Sequence, residues 1–189
     1  MSKSYFKLKK SNFTVLSIGG SLGALSINNA IKNNMNYFTS KNINLIWQTG
    51  EKFYGKAKDT IIKYDSKNVV VFDFIKEMDY AYSAADLIIS RAGAIAISEL
   101  CVVAKPVILI PSPNVAENHQ YKNAQSLVNN NAALLVEDNV TNIKIVNEIN
   151  KLYLSKEMRQ NLSLGIKKLQ KTQSTEIIYN LVNKYLLDV

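Results

Sequence analysis

Four short stretches carry residues whose types and spacing could do chemistry. The first, Gly19-Gly20-Ser21-Leu22-Gly23-Ala24, follows an apolar run and opens a helix-period segment. Glycines in such a turn allow close backbone approach, so free N–H groups and a positive helix end can face an anion. The second, Ser90-Arg91-Ala92-Gly93-Ala94, repeats that arrangement, with a helix predicted to start at about Ala94. Its first-turn N–H groups have no intrahelical partner and suit a diphosphate. Glu99 lies inside the otherwise apolar stretch AIAISELCVV. An acid there is costly without a partner. A ribose diol donating two hydrogen bonds to one carboxylate is an apt partner; pairing with Arg91 or pointing to water are the plain alternatives. The third stretch, Phe72-Asp73-Phe74-Ile75, offers apolar residues that form either a slot for a flat base or a staple for the next helix. The fourth, Pro111 to Gln120, crowds polar side chains, including the single histidine, His119, near a helix start, as a hydroxyl-rich ligand would require.

Other chemistries fit these residues less well. Gly19, Ser21 and Ala24 occupy the three glycine positions of a dinucleotide fingerprint, and no acid follows the second strand at the ribose position. The same turn matches G-x-S-x-G, and Ser21, Asp73 and His119 run in the order of a hydrolase triad. An elbow on the first strand leaves no preceding loop for an oxyanion hole, and His119 opens a helix instead of sitting on a late loop. No D-x-D pair or metal-ligand cluster is visible, so charge developing on a leaving phosphate would be met by helix N-termini and Arg91.

The elements that must position these turns alternate along the chain. Strands are predicted at Thr14–Ile18, Asn44–Gln48, Val69–Phe72, Leu87–Ser90, Val107–Ile110 and Ala133–Val136. Helices are predicted between them at Ala24–Asn34, Phe53–Tyr64, Glu77–Ala84, Ala94–Val103 and Asn118–Val128. This alternation implies right-handed crossovers and an open, Rossmann-like α/β fold, a parallel sheet of about six strands with helices on both faces. Three amphipathic helices follow, Ile143–Leu154, Lys156–Leu169 and Ser174–Leu186, with Thr141, Ser155 and Ser174 as N-caps. Residues 1–12 are polar and read as a linker, 13–136 as the α/β core and 141–189 as a helical tail of one domain.

Bulk properties agree with one folded domain of 189 residues. The net charge of +8 comes almost wholly from scattered lysines; only Arg91 and Arg159 are arginines, and no basic block is interleaved with aromatics. That argues against a nucleic-acid groove. The lone Cys101 excludes an internal disulfide framework. No signal-peptide pattern or membrane-length apolar run is present, so a cytoplasmic location is expected.

GGSLGA after the first strand, then FIKEMDYAYSAADLIISRAGAIAISEL, then KPVILIPSPNVAENHQYKNA, resemble the C-terminal domain of the MurG family. These bacterial enzymes transfer N-acetylglucosamine from its UDP carrier to lipid I. The resemblance implies an inverting, metal-independent enzyme of two Rossmann-like halves with no cofactor. Gly19, Gly20 and Ser21 would lie by the donor diphosphate, and Phe74 and Ile75 would bracket the uracil, Ile75 through its backbone. Gly93, Ala94, Ile95 and Ala96 would present a helix N-terminus to the phosphates, Glu99 would hold the ribose, and His119 and Gln120 would contact the sugar hydroxyls. The sequence departs from the family at Ala96, where a hydroxyl residue is usual, and at Ala104, where glycine is common. The resemblance further implies that an N-terminal acceptor domain is absent here; it would carry the catalytic base, the lipid I site and the contact with the cytoplasmic face of the membrane. A stand-alone donor subunit of a two-chain N-acetylglucosaminyltransferase, or a non-catalytic sugar-nucleotide-binding module, would show the same turns.

Overall fold

A computed structural model of the chain describes residues 2–187. Six strands form one parallel sheet: β1 (Thr14–Ser17), β2 (Asn44–Gln48), β3 (Val69–Phe72), β4 (Leu87–Ser90), β5 (Val107–Leu109) and β6 (Leu134–Leu135). Their spatial order is β3-β2-β1-β4-β5-β6. Consecutive residues along the strands enter opposite layers, as the two-residue side-chain period requires. Val15, Leu45, Ile89 and Ile108 join one core, and Leu16, Ile46, Ile88 and Leu109 the other. Consecutive apolar residues through the strand centres, with polar residues only at strand ends, are what a sheet covered on both faces demands.

The first core is covered by α2 (Leu25–Asn33), α3 (Met35–Ser40), α4 (Glu51–Lys63) and α8 (Thr141–Leu154). The second lies under α5 (Met78–Ala84), α6 (Ala94–Val103) and α7 (His119–Asn129). The helix α9 (Lys156–Lys167) reaches both, through Leu162 and Ile166. The last helix, α10 (Ser174–Leu187), leaves Ile177, Ile178, Leu181 and Val182 exposed.

Three expectations are corrected. The helix expected over Ala24–Asn34 stops at Asn33, and α3 follows. Asn34 lies outside helical geometry (φ −108°, ψ 21°), and its amide donates to Ala30 O at 2.8 Å. A short amide that bonds nearby backbone competes with helix continuation. The segment read as a linker folds back: α1 (Ser2–Tyr5) leads to Phe6 and Leu8, both buried in the second core. Lys3 ties it down by donating to Asp86 at 2.8 Å. Among the caps, Ser155 accepts from Met158 N–H at 3.1 Å as expected. Thr141 and Ser174 are instead first helical residues, and their hydroxyls donate back to Glu137 O and Lys171 O.

Candidate functional site

In an open α/β sheet, the crevice forms where the strand order reverses, outside the carboxyl ends of the strands. Here that point lies between β1 and β4. The turns after these strands are the two glycine turns, so the topology sets them side by side. A cleft of about 700 Å³ opens there, lined by the run Gly19 to Ser26 with Arg91, Ser112, Asn114, Gln120 and Asp138. A smaller cavity of about 370 Å³ beside it shares Ser112 and Asp138.

The turn after β1 is locked by backbone packing. Gly23 has φ +75°, and a Cβ there would stand 1.8 Å from Thr49 O in the β2–α4 turn. Two buried amides brace the same region. Asn28 donates to Thr49 O at 2.8 Å and accepts from Trp47 Nε1 at 2.9 Å. Gln48 donates to Gly20 O at 3.0 Å and accepts the Ile75 N–H at 2.9 Å, joining the first and third turns.

The turn after β4 is built differently. Gly93 is the N-cap of α6 at φ −68°, ψ 150°, and no side chain caps the helix. A Cβ on Gly93 would meet nothing within 4 Å. The N–H groups of Ala94, Ile95 and Ala96 thus stand at a ten-residue helix start with open space at its cap. Those donors and the positive helix end suit an anion. About one and a half turns into α6, Glu99 is exposed and accepts from Tyr82 Oη at 3.0 Å. Burial raises the Tyr82 phenol well above its ordinary range, and the Glu99 carboxylate adds to the rise.

The residues singled out in the sequence are therefore not all in one place. Gly19, Gly20, Ser21, Arg91 and Gln120 line the cleft. Gly93 to Ala96 follow Arg91 in the chain but are not among the residues that line the cleft, and Glu99 lies further along the helix they begin. Phe74 is exposed, whereas the Ile75 side chain is buried. Because Gln48 occupies the Ile75 N–H, that group is not left for a base. His119 starts α7 with its ring Nδ1 2.9 Å from Ala116 O, and Gln120 accepts from Ser112 N–H at 2.9 Å. The loop before them holds Glu117 and Asn118 at φ +52°, a conformation L-residues adopt at a cost.

Arg91 is the clearest departure. Neither Glu99 nor a free phosphate site holds it: it pairs with Asp138 and donates to Ile110 O at 3.0 Å and Ser26 Oγ at 2.9 Å. Its charge is countered by the Asp138 carboxylate, and it ties the residue after β5, α2 and the Asp138–Val140 turn together around the cleft. Sequence reading also missed Gln48, Asn28, Tyr82 and Asp138, whose partners are far along the chain. Only the polarity of Gln48 at the end of a buried strand signalled a special role. Among the described residues, no group of three or more His, Cys, Asp or Glu side chains could hold a metal ion, and no helix is long and apolar enough to cross a membrane.

The model of the glycosyltransferase family 28 C-terminal domain matches residues 14–178. The chain belongs to this family. Among curated relatives, the UDP-N-acetylglucosamine--N-acetylmuramyl-(pentapeptide) pyrophosphoryl-undecaprenol N-acetylglucosamine transferase of Parabacteroides distasonis is 43% identical over 182 residues, 96% of this chain and 50% of that protein. The enzyme of the same name from Phocaeicola vulgatus is 44% identical over 95% of this chain and 49% of its own. The family 28 chain thus spans about half the length of these relatives. A crystal structure of Acinetobacter baumannii MurG superposes with a TM-score of 0.82 at 22% identity, over 97% of this chain and 53% of that one. It shares the Rossmann-like fold.

Proposed function

We propose that this family 28 domain is the donor-binding half of an inverting transferase that moves N-acetylglucosamine from UDP-N-acetylglucosamine to the C4 hydroxyl of lipid I. The observation that carries this reading is the uncapped start of α6 at the β1/β4 switch point, with open space at Gly93. A nucleoside diphosphate supplies what that site lacks, an anion for its free N–H groups. Glu99 holds the ribose hydroxyls, Phe74 flanks the base, and the sugar extends toward His119, Gln120 and the cavity beside Ser112. As the acceptor oxygen attacks the anomeric carbon, the bond to the diphosphate oxygen breaks. The growing charge on UDP meets the Ala94, Ile95 and Ala96 N–H groups and the helix dipole, worth about half a positive charge. Arg91, already neutralised by Asp138, shapes the cleft instead of meeting that charge.

The acceptor side needs groups this chain does not supply. The relatives' remaining length accommodates a second domain to hold lipid I, provide the base and dock on the cytoplasmic membrane face. Titration calorimetry with UDP-N-acetylglucosamine, UDP and NAD tests the donor assignment. Both uridine nucleotides are expected to bind, and binding of NAD alone overturns it. Transfer to lipid I by these 189 residues alone would contradict the assignment of the acceptor chemistry to another domain.

A further inference from the structure

Glu99 has a partner that the donor reading does not use. Tyr82 lies on α5, half-buried, and packs against the second core. Its hydroxyl donates to Glu99 Oε2 at 3.0 Å. The phenol cannot pass its proton to the carboxylate at neutral pH, since burial and the neighbouring negative charge both hold it in the neutral, donating form. A carboxylate has about four lone-pair positions. One is taken by Tyr82, which leaves the second oxygen and the remaining positions for two further donors. Vicinal hydroxyls present two donors at that spacing. An exposed glutamate samples many rotamers and loses that freedom when it binds. A packed phenol that already fixes one oxygen removes part of the loss.

We propose that Tyr82 is a positioning residue, presetting the Glu99 carboxylate to read the vicinal ribose hydroxyls, so that the site favours ribonucleotide donors over 2′-deoxyribonucleotide ones. This rests on the placement of the ribose at Glu99 proposed above. Tyr82 touches no part of the nucleotide in this account and acts only through the carboxylate. The substitution Tyr82→Phe removes one hydroxyl and keeps the packed ring, so the fold is retained; thermal melting of the variant verifies this.

The test is calorimetric titration of the 189-residue chain and its variants with UDP and with 2′-deoxy-UDP. For Tyr82→Phe, UDP affinity is expected to fall about 3- to 10-fold, less than the full worth of a hydrogen bond to a charged group, because the nucleotide loses only the presetting of the carboxylate. Affinity for 2′-deoxy-UDP is expected to change by less than about twofold, since one of the hydroxyls that benefits is gone. A structural role for Tyr82 would weaken both nucleotides alike, and that result overturns the proposal. So does unchanged UDP affinity. In the Glu99→Ala background, Tyr82→Phe is expected to have no further effect, because the two act as one unit; an additive loss overturns the proposal. Failure of the underlying reading looks different: Glu99→Ala itself would leave UDP binding unchanged, or the unmodified chain would bind no UDP, and either result overturns both.

Discussion

The two glycine turns at the cleft look alike in sequence and are unlike in structure. After β1, Gly23 is required by the fold: its φ is +75°, and a side chain there would overlap the Thr49 carbonyl at 1.8 Å. After β4, Gly93 has an ordinary backbone conformation and nothing within 4 Å of the missing Cβ. The first turn is a glycine the protein needs in order to fold. The second is one the protein itself tolerates replacing, so its meaning lies in what approaches from outside. The contrast separates two reasons for glycine that a motif treats as one.

Substitutions can break or sharpen this contrast. Gly23→Ala combines a left-handed backbone with a backbone clash and is expected to cost more than about 3 kcal/mol. A shift of the urea midpoint measures it; a change below about 1 kcal/mol would mean that the turn relaxes freely. Glu99→Ala is expected to weaken UDP about 10- to 100-fold, the worth of about 1.5–3 kcal/mol for hydrogen bonds to a charge. Since Glu99 is exposed, the midpoint of unfolding should stay within about 0.5 kcal/mol.

Ala104 extends the contrast beyond the cleft. It caps the end of α6 at φ +53°, ψ +36°, the left-handed conformation glycine adopts without penalty. Ala104→Gly is expected to raise stability by about 1 kcal/mol and leave UDP affinity unchanged. The smallest effect on stability belongs to Gly93→Ala, within about 0.5 kcal/mol by denaturation. UDP binding should nevertheless fall more than about threefold, because the new methyl group occupies the space left for the phosphates. Gly93→Ala with undiminished UDP binding would remove the ligand-side meaning of that glycine.

The residues that sequence reading placed correctly are those whose signal is local. Buried strands such as Asn44–Gln48 and Leu87–Ser90 are continuous apolar runs bounded by turns, and α6 begins and ends at the predicted Ala94 and Val103. Strand alternation with helices sufficed for the layer order, and the glycines and Glu99 were visible by type. What escaped depends on partners distant in the chain. Asp138 captures Arg91 across 47 positions, and Gln48 reaches the Gly20 carbonyl and the Ile75 N–H at 28 and 27. No periodicity records such pairs, so Arg91 looked like a phosphate ligand. The buried Phe6 and Leu8 escaped for a related reason: two apolar residues among lysines and serines resemble a tail until Tyr5 and Phe6 are seen against α5 and β3.

The central claim, that the start of α6 receives a nucleoside diphosphate, is tested most directly by following backbone amide resonances while UDP is added to the chain. The largest shifts are predicted at Ala94, Ile95 and Ala96, with smaller ones at Gly19 to Ser21 and Glu99. Shifts confined to the cavity at the amino ends of β4 and β5, around Lys105, Lys156 and Arg159, or none in the α6 amides at saturating UDP, would contradict the account.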